Sequence, residues 1–490
     1  MEQTIRTTCS YCSVGCNFNA VFEDGELKSF LPDKEYPVNL GKSCPKGFHV
    51  LKAFESDDRL ATPQLRSEAG ELAAVSWDHA VREMVRNFKR IKAEYGPESV
   101  AFLSTGQIPF EEMAFLGALF KFGMGFVHAD GNTRQCMATA AVAYKQAFGF
   151  DAPPFSYKDF EESDYMIFVG ANPVISHPVM WNRVKMNDND PTIVVVDPRR
   201  TKTAKQAHKH LAVNPKSDLT LLYALIRELI VNDWIDREFI DAHTDGFDEL
   251  ESHVATFTLE HAEEETGIAA AEIADIARGI HEARAVSVWW TMGVNQSHQG
   301  VRTAQAIINL CLITGNIGRP GTGPNSITGQ ANAMGSRLYS NTTGMFALYD
   351  FEKDEDRRAM AELLDIPVEV IPTKNSLPYH RIIEEIDRGT IKGLWVIATN
   401  PVHSWGNKEA AIAALEKLDF LVVQDLYDTT ETAGVADLLL PAAGSGEKEG
   451  TFINSERRLG TVQKVMEPPG EALSDFDIFK RIRDAWGCRD

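Results

Sequence analysis

A repeated pattern of buried strands limits the possible folds of this chain more than any other feature. Two apolar runs end in an Asn-Pro step, at Asn172 and at Asn400, and each is followed by a second apolar run that ends in an aspartate, Asp197 or Asp425. The spacing from asparagine to aspartate is 25 residues in both copies. Near-continuous apolar runs joined by helical connections are typical of parallel sheets covered on both faces. The pattern predicts two related α/β lobes with ligand-facing loops at the carboxyl ends of their strands.

The loops of this repeat are candidates for nucleotide binding, because ligands of open α/β sheets lie at the carboxyl ends of strands. Neither lobe contains the G-x-G-x-x-G motif or a Walker loop, so a standard NAD or ATP site is not supported. The equal spacing in both halves favours a ligand with two nucleotide arms. Plain structural turns are the alternative.

Length and charge exclude several classes of function. The 490 residues, 44% of them hydrophobic and 24% charged, indicate a globular protein of about three domains. A net charge of −21 disfavours nucleic acids and anionic membranes as partners. The chain has no apolar stretch long enough for a membrane span, and its N-terminus lacks the features of a secretion signal. We therefore expect a cytoplasmic protein with no nucleic-acid partner and no membrane span.

Four of the seven cysteines lie in the first 44 residues, at Cys9, Cys12, Cys16 and Cys44. Their spacing is C-x2-C-x3-C-x27-C, which puts three thiols within eight residues and brings the fourth from a later loop. In a reducing compartment such a group indicates a metal or redox centre rather than disulfides. The three-plus-one arrangement favours a [4Fe–4S] cluster. Structural zinc, which usually takes two separated C-x2-C pairs, is the alternative.

Cys136 stands apart from this group, at the start of an Ala-rich segment with a helical pattern. A turn at Gly131 and Asn132 precedes it. A helix N-terminus favours thiolate over thiol, and a thiolate suits a soft metal. Cys136 is therefore a candidate metal ligand, and a buried small hydrophobic side chain is the alternative.

Further motifs accompany the Cys9–Cys44 pattern, which includes Ser43-Cys44-Pro45-Lys46-Gly47; they occupy residues 132–137, 291–296, 312–323 with 329–335, and 446–458. Together these stretches make the chain similar to the molybdenum bis(molybdopterin guanine dinucleotide) oxidoreductases of the dimethyl sulfoxide reductase superfamily. Within that superfamily the chain most resembles the catalytic subunits of assimilatory, cytoplasmic-type nitrate reductases. The resemblance runs from the cysteine motif to Phe476.

The resemblance implies two cofactors and the residues that hold them. The four N-terminal cysteines would bind a [4Fe–4S] cluster, Cys136 would ligate the molybdenum of Mo-bis(molybdopterin guanine dinucleotide), and Lys46 would relay electrons between cluster and pterin. The pterin nucleotides would be held by a set of polar and loop residues: Gln107, Asn132, Gly170, Asn172 and the loop to Ser176, Asp197, Asp218, Met292, Gln296, Asn400, Asp425, Lys448 and Asp475. Two of these have plainer interpretations, since Asp218 could be a helix N-cap and Lys448 a solvated surface charge.

The resemblance also implies an activity: reduction of nitrate to nitrite by oxygen-atom transfer at the molybdenum. Electrons would arrive through the cluster from a ferredoxin, a flavodoxin or an NADH-linked reductase subunit. Met137 follows Cys136, where formate dehydrogenases of the superfamily have histidine; a thioether handles no protons but can shape a pocket for a small oxyanion. Arg337 is a candidate for steering nitrate against the acidic surface, with a salt bridge to the pterin or a structural salt bridge as the alternative. A formate dehydrogenase and a non-catalytic electron-transfer subunit are the other functions considered.

The predicted architecture is α/β and has three parts. A [4Fe–4S] domain occupies residues 1–55. A first, discontinuous pterin-binding lobe comprises residues 56–135 and 336–490, and a second lobe comprises residues 136–335. The C-terminal β-barrel cap that the resemblance implies is expected to be absent from this chain.

Overall fold

A computed structural model describes residues 2–151 and 153–488 and divides the chain into two compact units. The first unit comprises Met1–Arg134 and Gln330–Asp490, and the second comprises Gln135–Gly329. Residues 1 and 490, the ends of the predicted domains, lie outside the described residues. Residues 330–335, which the sequence pattern assigns to the second lobe, belong to the first unit. The reason is that Asn332 donates to the carbonyl of Ile108 and accepts from the N–H of Ile453, both at 2.8 Å.

The β-strands of the described residues are distributed along the whole chain. In order they are β1 (Glu2–Thr8), β2 (Asn17–Glu23), β3 (Glu26–Pro32), β4 (Gln64–Arg66), β5 (Leu72–Ala74), β6 (Val100–Ser104), β7 (His128–Gly131), β8 (Tyr165–Val169), β9 (Thr192–Val196), β10 (Lys209–Leu211), β11 (Val286–Trp290), β12 (Gly323–Ser326), β13 (Gly393–Ile397), β14 (Phe420–Asp425), β15 (Leu438–Pro441), β16 (Gly450–Ile453) and β17 (Leu459–Val462).

The α-helices of the same residues connect and cover these strands. They are α1 (Pro45–Phe48), α2 (Trp77–Tyr95), α3 (Phe110–Ala118), α4 (Thr133–Phe148), α5 (Asp159–Glu162), α6 (Pro173–Ser176), α7 (Pro178–Val184), α8 (Asp218–Val231), α9 (Arg237–His243), α10 (Phe247–Val254), α11 (Leu259–Thr266), α12 (Ala270–Glu282), α13 (Met292–Asn295), α14 (Gly300–Ile313), α15 (Ala333–Tyr339), α16 (Asp354–Leu364), α17 (Tyr379–Asp387), α18 (Pro401–Ser404), α19 (Lys408–Leu415), α20 (Glu431–Gly434) and α21 (Asp475–Trp486). A π-helical turn spans Leu119–Gly123, and short 3-10 turns span Leu51–Glu55, Ala204–Gln206, Phe346–Leu348 and Val368–Val370.

The first unit contains a large, mostly parallel sheet and a small antiparallel one. The large sheet has the strand order β5-β4-β15-β14-β13-β6-β7, in which the five strands from β15 to β7 are parallel. Strands β4 and β5 extend this sheet in antiparallel fashion. The small sheet, β1-β2-β3, is formed by the cysteine-containing N-terminal segment. Strands β16 and β17 form a separate hairpin.

Both faces of the large sheet are covered by helices, which explains its uniformly apolar strands. In β13, Trp395 packs in a core with α2 and α21, whereas Leu394 and Val396 pack in a core with α17 and α19. Successive side chains of a strand point to opposite faces, so a sheet buried on both sides needs apolar residues at every position.

The second unit is built on five parallel strands in the order β10-β9-β8-β11-β12. On one face Ile167 and Val288 pack with α8, α12 and α14. On the other face aromatic rings cover the sheet, with Trp289 stacked 3.8 Å from Phe160. The predicted α/β fold with parallel sheets is confirmed in both units.

The carboxyl ends of paired parallel strands carry the repeated motif in each unit. Strand β8 pairs with β9, and β13 pairs with β14, so the asparagine and aspartate of each copy lie at or just after the carboxyl ends of neighbouring strands.

Among the described residues, the helices lack the length and apolar character that crossing a membrane requires.

Candidate cofactor-binding site

The four N-terminal cysteines come together around a tight turn of the first unit. Cys9 follows β1, Cys12 lies in the turn, and Cys16 directly precedes β2. The N–H of Cys9 donates to the carbonyl of Cys16 at 2.8 Å, and Cys44 arrives as the N-cap residue of α1. At Gly15, φ is +70° and a Cβ would come within 2.8 Å of a neighbouring side chain, so the turn requires glycine there.

The electrostatics of these thiols show that the four sulfurs form one group. Burial raises the pKa of the Cys9 thiol to about 12 and also raises the pKa of Cys12 and of Cys16. Each of the six sulfur pairs, including those with Cys44, contributes a further charge interaction that raises a pKa. Thiolates so close together need positive charge among them, which an iron–sulfur cluster supplies.

In the part of the chain that the structure describes, no three His, Cys, Asp or Glu side chains are arranged to hold a single metal ion. The preference for a [4Fe–4S] cluster over zinc rests on the spacing of the four cysteines, whose three-plus-one arrangement suits a cluster.

Lys46, the predicted electron relay, lies beside two of the cysteines. Its charge lowers the pKa of Cys9 and of Cys12, against the larger effect of burial. The Lys46 Nζ also lies 5.1 Å from the centre of the Tyr11 ring, which is a cation–π distance. The Lys46 ammonium group therefore belongs to the immediate surroundings of the cysteine group.

A cavity of about 480 Å³ opens next to the cysteine segment within the first unit. Tyr11 lines one side of it, and residues that follow β14 and β15 line the other. Four of the residues predicted to hold a nucleotide arm also line this cavity: Gln107, Asp425, Lys448 and Asp475. The fold thus joins the surroundings of the cysteine group to a pocket that these four polar side chains line together with apolar ones.

Lys448 is a buried ion, so its interpretation as a solvated surface charge is wrong. It is only 5% exposed, and its Nζ lies 2.7 Å from Glu112 Oε2 and contacts the carboxylate of Asp475. Burial alone would lower the pKa of Lys448, but the two carboxylates raise it. Burial holds the pKa of Glu112 above its usual range. Two acids therefore share one ammonium group at the cavity.

Asp425 presents a second acceptor to the same cavity. Burial raises the pKa of its carboxyl group to about 7, and the charge of Asp475 adds to the shift. The Asp425 Oδ1 accepts a hydrogen bond from the N–H of Leu426 at 2.6 Å. Donors on a nucleobase or ribose would favour the ionised form of this carboxyl group, because hydrogen bonds to a charged acceptor stabilise its charge.

A buried ion pair outside the predicted set connects the segment that follows the 3-10 turn Leu51–Glu55 to the segment that follows β15. Arg59 binds Glu447 in a bidentate manner at 2.8 and 2.7 Å. It also donates to the carbonyls of Phe54, at 2.6 Å, and Leu426, at 3.2 Å. Sequence reasoning missed both Arg59 and Glu112, because their charged partners lie 388 and 336 positions away and no local pattern marks them.

The two Asn-Pro turns contain the same hydrogen-bond network, once in each unit. Asn172 Oδ1 accepts from the N–H and the hydroxyl of Thr203, at 3.3 and 2.8 Å. Asn400 Oδ1 accepts from the same groups of Thr432, at 3.3 and 2.7 Å. Each threonine Oγ1 accepts in turn from the N–H two residues after the asparagine, at 3.3 and 3.2 Å. We call the two networks, Asn172–Thr203 and Asn400–Thr432, the Asn–Thr brackets.

Gly170, Met292 and Gln296 come together in the second unit. Gly170 has φ +54°, and a Cβ there would lie 2.7 Å from the backbone of Gly293, so the close approach of the two loops requires glycine. Met292 begins α13, directly before Gly293. Gln296 donates from its Nε2 to the carbonyl of the residue before Cys136, at 2.9 Å. The second unit thus places these three predicted residues near the candidate molybdenum ligand.

Cys136 lies in the first turn of α4, is half-buried and packs against the hydrophobic core of the second unit, and its role as a metal ligand stays a prediction. A Cβ on Gly329 would lie 3.8 Å from its Sγ. The next residue, Met137, is 2% exposed in the hydrophobic core of the second unit, and its Sδ accepts a hydrogen bond from Asn295 at 3.1 Å. Its role in shaping an oxyanion pocket stays a prediction.

Asp197 and Asp218 place two carboxyl groups close together in the second unit. Burial raises the pKa of Asp218, and the charge of Asp197 adds to the shift. The N-cap position of α8 is Ser217, whose side chain makes no capping hydrogen bond. Asp218 is the first residue of the helix itself, so its interpretation as an N-cap is wrong.

The loop at 330–331 holds two more predicted residues of the first unit. Asn132 Oδ1 accepts from Gln330 at 2.9 Å, and its Nδ2 donates to the Thr399 hydroxyl at 3.0 Å. Gln107 Oε1 accepts from the N–H of Ala331 at 2.9 Å. The Asn132 amide lies next to the turn of Asn400, because Thr399 directly precedes Asn400.

Arg337 lies on α15, which follows this loop, and is half-buried. One of its guanidinium nitrogens lies 3.7 Å from the Met334 sulfur.

The predicted site residues fall into two groups, one in each unit. The first unit holds Lys46, Gln107, Asn132, Arg337, Asn400, Asp425, Lys448 and Asp475, and the second holds Cys136, Met137, Gly170, Asn172, Asp197, Asp218, Met292 and Gln296.

Family models match nearly the whole chain. The model described as molybdopterin oxidoreductase matches residues 59–485, and the model described as molybdopterin oxidoreductase Fe4S4 domain matches residues 2–55. These matches support a molybdenum–molybdopterin cofactor and a [4Fe–4S] cluster, in agreement with the predicted cofactors.

Curated relatives include enzymes with two different names. The chain is 35% identical to a nitrate reductase of Synechocystis sp. and 37% identical to an assimilatory nitrate reductase of Haloferax mediterranei, over 98% of its own length. It spans 69% and 66% of these relatives. It is also 34% identical to the alpha subunit of an F420-dependent formate dehydrogenase of Methanocaldococcus jannaschii, over 99% of this chain and 71% of that one.

A solved structure shares the fold. Acetylene hydratase from Pelobacter acetylenicus superposes with a TM-score of 0.72 at 21% identity, covering 98% of this chain and 69% of that one. At this identity the likeness concerns the fold alone.

Proposed function

Because the chain belongs to the molybdopterin oxidoreductase family, we propose that it reduces nitrate to nitrite at a molybdenum centre that carries two molybdopterin guanine dinucleotides. The observation that carries the proposal is the residue after Cys136, which is Met137 in a chain similar to nitrate reductases over nearly its full length. A buried thioether offers no titratable group beside the metal ligand, whereas histidine would. Nitrate brings no proton to be removed, and its reduction takes up two electrons and two protons and releases nitrite and water.

The residues of the chain have separate tasks in this proposal. Cys136 binds molybdenum through a thiolate that the start of α4 favours electrostatically. The molybdenum cofactor, when bound, supplies the oxygen-atom transfer chemistry, and the cluster supplies single electrons. Lys46 keeps a positive charge beside the cluster ligands and so favours the arrival of electrons there.

The substrate must approach against the field of the whole chain, whose net charge is −21. A local cation is therefore needed to concentrate an anion at the site. We assign this role to Arg337, because a guanidinium group matches the planar geometry of an oxyanion. Electrons would come from a ferredoxin, a flavodoxin or an NADH-linked reductase subunit, in a cytoplasmic setting.

The test compares nitrite formation by the cofactor-loaded chain and by Cys136→Ala, with reduced viologen as electron source. We expect nitrite from the unchanged chain and at least a hundredfold less from the variant, since removal of a metal ligand disrupts the site. Cys488→Ala, which changes a half-buried cysteine near the C-terminus, is the matched control and keeps full activity. If Cys136→Ala produced as much nitrite as the unchanged chain, ligation of molybdenum by Cys136 would be contradicted.

The similarity to formate dehydrogenases supports a second candidate function. A formate dehydrogenase would reduce viologen with formate and form no nitrite from nitrate, so the same preparation decides between the two activities. Metal analysis separates both from a non-catalytic electron-transfer subunit, which would contain iron but no molybdenum.

A further inference from the structure

Lys121 is a buried lysine of the first unit to which the proposed reaction assigns no task. It lies in the π-helical turn Leu119–Gly123 and is fully buried. Its Nζ donates to the carbonyl of Thr342 at 2.5 Å and lies 4.3 Å from the centre of the Phe351 ring. Single π-helical turns are rare and frequently occur at functional sites. Packing alone would not select a lysine there, because lysine is almost never fully buried.

The charge of Lys121 is unfavourable for stability. Burial lowers the pKa of its ammonium group to about 7, and the charge of Asp130 only partly opposes this shift. Asp130 also pairs with Arg134, so two cations share one buried carboxylate. A lysine with such a low pKa in the fold destabilises the folded state at neutral pH, because the unfolded chain holds the proton more tightly. The ammonium group therefore serves something other than stability.

The hydrogen-bond partner of Lys121 lies in a turn that is itself costly to form. We name residues 340–343, which directly follow α15, turn 340–343. Within it Asn341 has φ +45°, in the left-handed region. The Asn341 side chain is 2% exposed, and neither polar atom of its amide has a hydrogen-bond partner among the described residues. Both features cost free energy, so contacts from outside must hold this turn.

Three elements of the first unit contact turn 340–343. The π-helical turn contributes the hydrogen bond from Lys121. Arg134, in the first turn of α4, donates to the Thr343 hydroxyl at 2.8 Å. Helix α3 packs its backbone against the turn at Gly117, where a Cβ would come within 2.6 Å of Asn341 Cβ. Among these contacts, only the one from Lys121 is a hydrogen bond to the backbone of the turn.

Turn 340–343 also fixes the end of α15. The N–H of Ser340 donates to the carbonyl of Ser336 at 3.2 Å, and the Ser336 hydroxyl lies 3.3 Å from the hydroxyl of Thr133. Arg337, which we propose to steer nitrate, lies between these two serines on a helix of seven residues. Such a short helix has little stability of its own, so the position of Arg337 depends on what holds the helix ends.

We infer that Lys121 is a positioning residue for nitrate binding, which holds turn 340–343 and, through it, the helix that carries Arg337. The ammonium group supplies the donor that the costly turn needs at Thr342. Asp130 joins the two cations that contact the turn, because it pairs with Arg134 and its charge acts on Lys121. A fixed guanidinium group is then maintained at a cost in stability, as is common at functional sites. The inference rests on the proposed function and on the role of Arg337 in it.

The first test measures nitrate reduction by the cofactor-loaded chain, with reduced viologen, over a range of nitrate concentrations. In Lys121→Met, which keeps the side-chain length and removes the donor, we expect KM for nitrate to rise about fivefold or more and kcat to stay within about twofold. Such a split indicates lost substrate binding, whereas general damage to the fold would lower the active fraction and so kcat. Lys392→Met removes another lysine beside an aromatic ring of the first unit and should change neither constant.

A double-variant cycle tests whether Lys121 acts through Arg337. Arg337→Gln should raise KM for nitrate by itself. Adding Lys121→Met to it should raise KM no further, since the guanidinium group that the lysine positions is already gone. An equal rise of KM in both backgrounds would overturn the inference, and so would an unchanged KM in Lys121→Met.

Hydrogen exchange on the cofactor-free chain gives a readout that needs no activity. The amides of turn 340–343 should exchange about tenfold faster in Lys121→Met than in the unchanged chain, and those of α8 in the second unit should not change. Equal exchange in the turn would show that Lys121 does not hold it and would overturn the inference. Should Lys121→Met fold poorly, Lys121→Gln, which keeps a neutral donor of shorter reach, must show the same changes to a smaller extent.

These measurements separate the inference from the function on which it rests. If the cofactor-loaded, unchanged chain formed no nitrite, the proposed function would fail, and hydrogen exchange would still decide whether Lys121 holds the turn. If that chain formed nitrite and Lys121→Met had the same KM, the inference alone would fail.

Discussion

Lys448 keeps a full charge at a position that water hardly reaches, and the reason is local pairing. Glu112 and Asp475 surround its ammonium group, and Gln424 donates to Asp475 at 2.5 Å. A buried charge pair adds little stability compared with an apolar core, but removing one partner is costly because the other charges stay buried. The network therefore holds two cavity-lining residues, Lys448 and Asp475, in place.

Substitution of Lys448 tests this pairing. We expect Lys448→Met to lower the free energy of unfolding at pH 8 by about 3–5 kcal/mol, because two carboxylates lose their only described cation. Glu112→Gln should cost less, since Asp475 still pairs with the lysine. Urea denaturation measures both, and Lys464→Met, at an exposed pair with Glu467, should change stability by less than about 0.5 kcal/mol. Equal stability of Lys448→Met and Lys464→Met would contradict the buried network.

Asp425 gives the cofactor-free chain a defined pH dependence. Its pKa is about 7 in the fold, against about 3.9 in an unfolded chain. Between these values the folded state binds more protons, so this carboxyl group makes stability fall as the pH rises from 4 to 7. Asp425→Asn should therefore match the unchanged chain below pH 4 and exceed its free energy of unfolding by up to roughly 4 kcal/mol at pH 8. Urea unfolding at several pH values measures this, with Asp428→Asn in the same loop as control. If Asp425→Asn gave no gain in the free energy of unfolding at pH 8, ionisation of the Asp425 carboxyl group would not lower the stability of the fold.

At the scale of elements, the Asn–Thr bracket explains how a strand end becomes a binding loop twice in one chain. In both copies the turn after the first strand has a left-handed backbone, at Gly170 with φ +54° and at Ala398 with φ +48°. The bracket then joins that turn to the loop of the neighbouring parallel strand. The connection satisfies the asparagine side-chain oxygen and the threonine hydroxyl where the sheet hydrogen bonds end.

Removal of a bracket hydroxyl should weaken both units alike. Thr203→Val and Thr432→Val each keep the shape of the side chain and remove the hydroxyl that donates a hydrogen bond to the asparagine Oδ1. We expect each to lower the free energy of unfolding by about 1–2 kcal/mol, and the double variant to show the sum. Thr461→Val, at an exposed position of β17, is the control and should be nearly neutral. If the loss of unfolding free energy in the double variant differed strongly from the sum of the two single losses, the two networks would not be independent.

At the scale of the whole molecule, the chain separates its tasks between two units. The cysteine group, the cavity and the Lys448 network belong to the first unit, while Cys136, Gly170, Met292 and Gln296 belong to the second. Each unit has its own parallel sheet and its own hydrophobic core. Damage to the iron site should therefore remain local to the first unit.

Loss of a cluster ligand tests this separation. Cys16→Ser should remove the iron from the purified chain, because a [4Fe–4S] cluster needs its cysteine thiolates. Hydrogen exchange should quicken in β1 and β2 and stay unchanged in β8, β9 and β11 of the second unit. Cys311→Ala, at a core cysteine of the second unit, should keep its iron. Full iron content in Cys16→Ser would contradict the ligand set, and faster exchange throughout the second unit would contradict its independence.

The sequence by itself determined the parallel sheets, the repeated strand motif and the cysteine group, because periodicity and short spacing are local properties. Asp425 could be singled out from the repeat as well, whereas Lys448 could be singled out only through a resemblance to a known family. The structure then placed both at one cavity with Asp475.

Only the tertiary structure decided which side chains share a space. Glu112 and Arg59 carry no local signal, since each meets its partner across more than 300 positions of the chain. The inward orientation of Met137 depends on which face of α4 packs against the core. The equivalence of Thr203 and Thr432 needed the hydrogen bonds of the brackets, because these threonines follow Asp197 and Asp425 by six and seven residues. Patterns along a chain record local geometry, whereas burial and pairing between distant residues arise only when the chain folds.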